Sequence, residues 1–104
     1  MDLINRNALS VMGNIIGGYL DGEYDRKETV INLMNFVDPY IINNDTLEFM
    51  VTDCYYTIKH LTETGYETTD FELAYFRDCI EGIREYSLDE KNKLLIEYFK
   101  SLET

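Results

Sequence analysis

Four pairs of a small polar residue and a glutamate three positions later stand at the head of apolar stripes: Asp25 and Glu28, Asp45 and Glu48, Thr69 and Glu72, Ser87 and Glu90. At that spacing the first side chain can accept a hydrogen bond from an unpaired amide in the first turn of a helix, while the glutamate reaches back to the cap residue's own amide. Apolar residues at three- and four-residue steps follow each pair, as a helix with one buried face requires. They are Val30, Leu33, Met34 and Val37; Leu47, Met50, Val51, Cys54, Ile58 and Leu61; Leu73, Phe76, Cys79, Ile80 and Ile83; and Leu88, Leu95, Phe99 and Leu102. A further stripe, Ile4, Ala8, Val11, Met12, Ile15 and Tyr19, predicts a helix from Leu3 to Leu20 that lacks such a start signal.

The stops agree with the starts. The turn Asp21-Gly22-Glu23 ends the first helix, Asp38-Pro39 ends the second, and Gly65 ends the third. Tyr40 to Asn44 reads as a loop or short turn. Gly13, Gly17 and Gly18 weaken the first helix, or else let a neighbouring helix approach closely. With one proline and 45% hydrophobic residues in 104, the expectation is an all-α fold, a single-domain bundle of about five helices spanning residues 1–104. Short connections make sequential helices antiparallel neighbours.

Charge narrows the function. Twenty acidic residues face nine basic ones, for a formal net charge of -11. Such a chain repels phosphate backbones and anionic lipid surfaces, so neither nucleic acid nor membrane is an expected direct partner. A basic protein surface is the natural complement, although acidic small proteins also gain solubility from such a balance. The segment MDLINRNALS lacks the basic and apolar regions of a secretory signal, and no stretch approaches the ~20 apolar residues of a membrane span.

The residues needed for catalysis or metal binding are sparse. Cys54 and Cys79 sit on or beside apolar stripes, as reduced core residues of a cytosolic protein do, and His60 is the only histidine, so no zinc set can be assembled. The segment DGEYDRKETVIN is close in spacing to a calcium loop, but Arg26 and Asn32 occupy the positions that need glycine and glutamate. IIGGYL lacks the lysine and hydroxyl of a phosphate loop. Cys54 and His60 lie on different faces of one helix, a poor nucleophile–base geometry. The expectation is a non-enzymatic chain with no cofactor and no metal.

The third helix poses the sharpest question. Phe49, Asp53, Tyr56 and His60, spaced by four, three and four, line the face opposite Leu47 and Cys54. Either this helix is central, with Phe49 and Tyr56 buried and Asp53 and His60 near the rim, or the face meets a partner through a tyrosine beside a carboxylate. From Asp38 to Glu85 there are eleven acidic residues and three basic ones. Asp78, Glu81 and Glu85 form a predicted polar face on the fourth helix, and the preceding loop TETGYETTDFE carries Glu63, Tyr66, Glu67 and Asp70. Tyr19, Tyr75 and Tyr98 suit core edges with hydroxyls in water, whereas Tyr24, Tyr40, Tyr56 and Tyr66 suit contact.

A short acidic helical chain with DCYYTIKHL at its middle and FELAYFRDCIEGI after it resembles the bacterial immunity proteins of contact-dependent growth inhibition and colicin-like systems. The resemblance implies a cytoplasmic inhibitor that binds a cognate toxin domain, often a basic nuclease. Charge leads to the same expectation: an acidic patch with aromatic anchors can block a positive cleft without chemistry, and attraction speeds capture. The candidate contact residues are Asp53, Tyr56, Glu63, Tyr66, Glu67, Asp70, Asp78, Glu81 and Glu85. Two alternatives remain open at this level: a small acidic adaptor or regulatory protein that binds a host protein by apolar surface, and a nucleic-acid mimic.

Overall fold

The computed structural model describes residues 2–42, 48–65 and 68–103. Five helices account for most of them: α1, Leu3–Leu20; α2, Arg26–Phe36; α3, Phe49–Lys59, tightened by one 3-10 turn over His60–Thr62; α4, Asp70–Ile80; and α5, Leu88–Leu102. The domain is an all-α bundle, as the apolar periodicity predicts.

The start signals work as hydrogen bonds. Asp25 and Glu28 close a reciprocal capping box at α2, and Thr69 with Glu72 does the same at α4. The Ser87 hydroxyl accepts the Glu90 amide at 3.2 Å and opens α5. Asp2 caps α1 by accepting the Asn5 amide at 2.9 Å, a start that the glutamate spacing does not reveal. The expected cap at Asp45 lies outside the described residues, and the residue before α3 is Glu48, whose side chain makes no capping bond. Beyond α2, Asp38 accepts the Tyr40 amide at 2.9 Å and a helical turn over 39–42 begins at the proline, a residue suited to a first helical position.

α1 is the hub: its backbone packs against α2, α3 and α4, whereas that of α5 comes close to α4 alone. The centre holds Met12 and Ile16 from α1, Leu33 from α2, Val51, Cys54 and Ile58 from α3, and Leu73 and Phe76 from α4, none with measurable exposure. Each such side chain contributes about 1.5–3 kcal/mol by leaving water. Two of the three glycines of α1 serve close packing. A methyl group on Gly18 would collide with the Tyr24 ring, and one on Gly13 would sit 3.1 Å from Ile80 of α4, while Gly17 faces open space.

Several residues of the expected inner stripes point outward. Ile4, Met34, Ile83, Leu88, Phe99 and Leu102 are all exposed. For Ile83 the cause is local: α4 ends at Ile80, and Gly82 at φ 78° turns the chain with a backbone that side-chain-bearing residues rarely adopt. For α5 the cause is tertiary, because the helix meets the bundle through Lys91, Leu94, Leu95 and Tyr98 rather than through Leu88, Phe99 and Leu102.

Candidate partner-binding surface

The four residues of the α3 face have four different fates. Phe49 is more than half exposed, Tyr56 is half-buried against the core, and His60 lies 3.5 Å from Glu63. Asp53 turns inward. Its Oδ2 accepts the Lys91 ammonium at 2.6 Å and the Tyr86 hydroxyl at 2.7 Å, and the Lys91 side chain is only 6% exposed. The ammonium also lies 5.0 Å from the Phe76 ring centre, and the Tyr86 ring is nearly parallel to Phe76 with the two centres 6.0 Å apart. Burial, and then the hydrogen bond to Asp53, push the Tyr86 phenol far up, so it stays a donor. Asp53 therefore corrects the sequence reading: its charge is matched within the fold and it is no part of an exposed anionic patch. A buried lysine without this carboxylate would cost several kcal/mol, which is why the pair exists.

The remaining candidates fall into two groups. Glu63 and Asp70 lie at one end. There Arg26 donates to the Leu61 carbonyl at 3.3 Å and lines an open depression with Thr68, Thr69, Asp70, Tyr98 and Phe99. Asp70 accepts the Tyr19 hydroxyl at 2.7 Å, and burial, followed by this bond, raises the Tyr19 phenol. Arg26 thus tempers the negative charge here. Tyr66 and Glu67 lie outside the described residues. The hydroxyls of Tyr19 and Tyr75 bond within the protein rather than standing in water: Tyr75 donates to the Ser87 carbonyl at 3.1 Å and accepts the Ser87 amide at 3.0 Å. Tyr24 is likewise structural, packed over Gly18.

Asp78, Glu81 and Glu85 lie at the other end. Eight residues of helix separate Asp70 from Asp78, which is about 12 Å at the α-helical rise, so the nine candidates do not make one surface. Nor do these three share a helical face, since Glu81 is the C-cap and Glu85 lies beyond the Gly82 turn. What the turn does is present Ile83, 68% exposed, between two exposed glutamates. Arg84 is drawn back: its Nε is 3.8 Å from Asp78, its Nη1 is 3.5 Å from Glu90, and its guanidinium lies 5.2 Å from the Tyr75 ring centre.

The start of α3 shares this end. Met50 lines one depression with Arg6, Leu9, Ser10, Cys79 and Ile80, which brings the exposed Phe49 and Glu48 to the same pole as the α4 turn. The pole combines apolar side chains with a carboxylate rim, the composition of a contact patch. Sequence periodicity missed Ile83 by counting it as core. Gly82, followed at once by a bulky apolar residue, was the available signal.

Among the described residues no group of three or more His, Cys, Asp or Glu side chains could hold a metal ion, and no helix is long and apolar enough to cross a membrane. Both cysteines are free; burial raises the thiol of each, which keeps Cys54 protonated in the core. Comparison with protein families, curated proteins and solved structures finds no match for this chain.

Proposed function

We propose that this chain is a non-catalytic inhibitor of the immunity type, acting in the cytoplasm, which neutralises a basic toxin domain of the nuclease kind by binding it. The supporting observation is the α4 turn, where the exposed Glu81 and Glu85 flank the exposed Ile83. An acidic group at a helix C-terminus opposes the negative end of the helix dipole, so the fold gains nothing from Glu81, whereas Asp78 is matched by Arg84. A partner does gain: a positively charged cleft would meet Glu81 and Glu85 while Ile83 and Phe49 supply desolvated anchors. No cofactor takes part in such an inhibition.

The test is capture from extract of the native organism with the chain as bait, followed by titration of the recovered protein. The expected partner is basic, its affinity falls steeply as salt rises, and its nuclease activity disappears on binding. A partner that is acidic, or one held equally well at high salt, would overturn the reading.

One observation favours the adaptor alternative. Ile4, Ala8, Val11, Phe36, Val37 and Ile41 line a groove of about 230 Å³ between α1 and the end of α2, with Asp38 its single charged side chain. A partner seated there would bind through apolar area and respond little to salt. Phe36→Glu would abolish that binding and leave capture through the acidic pole intact.

A further inference from the structure

We infer that α5 is a releasable strap, which leaves the bundle as one unit while α1 to α4 stay folded. The core is complete without it. Among the described residues, every member of the buried apolar cluster comes from outside α5, and so does every half-buried apolar residue packed against that cluster. The backbone of α5 comes close to α4 alone, and the only residue it buries fully is Lys91. An element with so little apolar burial lies at the low end of the range of local stabilities in a fold.

The ion pair makes the strap two-state. Docked in register, α5 places the Lys91 ammonium 2.6 Å from the Asp53 carboxylate. A docking shifted along the helix would leave one of these charges buried and unmatched, at a cost of several kcal/mol. The closed and the fully released positions are the two that strand no charge. The hinge falls between Tyr86 and Leu88, because Tyr86 belongs to the bundle: it packs against the core, lies nearly parallel to Phe76 and donates to Asp53. When α5 leaves, Asp53 keeps that hydrogen bond and gains water, while Lys91 returns to solvent. Release also breaks the bonds of Tyr75 with Ser87 and of Arg84 with Glu90. The strap therefore sets how firmly the chain behind the Ile83 turn is held, and it does so whether or not the acidic pole binds a basic protein.

Amide hydrogen exchange on the full chain, followed from no urea to sub-denaturing urea, is the test. The amides of α5 are expected to share one opening free energy and one urea slope, both lower than those of the slowest amides of α1 and α3, with exchange at least about tenfold faster. Ile16→Val separates the two processes, because Ile16 is fully buried on a helix whose backbone does not approach α5. It is expected to speed the slowest amides of α1 and α3 about two- to tenfold and to leave the opening of α5 unchanged. One free energy and slope common to α5 and the core would overturn the inference. So would α5 rates graded inward from Leu102 without a common slope, which is fraying from the chain end, or equal acceleration of α5 and the core by Ile16→Val.

Discussion

α3 and α5 are both amphipathic helices, yet the fold uses them in opposite ways. α3 buries Val51, Cys54, Tyr55, Thr57 and Ile58. α5 is longer and buries a single residue fully, a lysine. Aliphatic packing holds α3. Three specific contacts hold α5: the two-way hydrogen bond between Tyr75 and Ser87, the ion pair of Lys91 with Asp53, and the near-parallel stacking of Phe71 on Tyr98 at 4.8 Å. An apolar stripe thus states that a helix has a face to cover, and leaves open whether its own chain covers it.

If α5 depends on the buried ion pair, Asp53→Ala should be the most damaging change. It strands Lys91 among apolar rings, and a loss of about 3–5 kcal/mol is expected in urea unfolding. Adding Lys91→Met should recover most of that loss, since no charge is then left buried. A small effect of Asp53→Ala alone would mean that α5 is held by packing after all.

Next in size is Tyr75→Phe, which removes the hydroxyl that holds Ser87. A loss of about 1–2 kcal/mol is expected, with faster hydrogen exchange in α5 and little change in α3. Equal acceleration in both helices would erase the distinction drawn between them.

Alkali should act on four of the tyrosines. Tyr19, Tyr55, Tyr75 and Tyr86 hold their phenolic protons more tightly folded than unfolded, and burial is the leading cause for each. Their contribution is intact while the unfolded phenols are still protonated, and it declines once pH passes about 10, where only the unfolded chain ionises. The buried Cys54 thiol should begin this decline earlier, from about pH 8.5. Urea midpoints that stay level from pH 7 to about 11 would contradict the burial of these groups.

The smallest expected effect is at Gly17, where a methyl group meets nothing within 4 Å. Gly17→Ala should stabilise α1 by about 0.5–1 kcal/mol, whereas Gly18→Ala should destabilise by forcing Tyr24 aside. A stabilising Gly18→Ala would show that Tyr24 is free to move.

Local chemistry was legible in the sequence. The caps of α2, α4 and α5, the stops near Leu20 and before Pro39, and the core positions Met12, Leu33, Val51, Cys54, Ile58, Leu73 and Phe76 follow from spacing alone. Two facts were not legible. Lys91 lies 38 residues from Asp53, and no local pattern shows that the surplus carboxylate of α3 and this lysine neutralise one another. The nine candidates were grouped by nearness along the chain, while the fold puts Asp70 and Glu81 near opposite ends of one helix. The acidic pole became visible only once the Gly82 turn ended α4 early and lifted Ile83 out of the core.

The division between inward and outward carboxylates is best tested on one variant, Glu81→Lys with Glu85→Lys, measured twice. Its unfolding free energy should equal or slightly exceed that of the parent, because a cation suits a helix C-terminus better than an anion does. Its affinity for the captured basic partner should fall at least about tenfold, equivalent to 1.4 kcal/mol. Unchanged affinity together with lowered stability would contradict the assignment of these two residues to the contact surface.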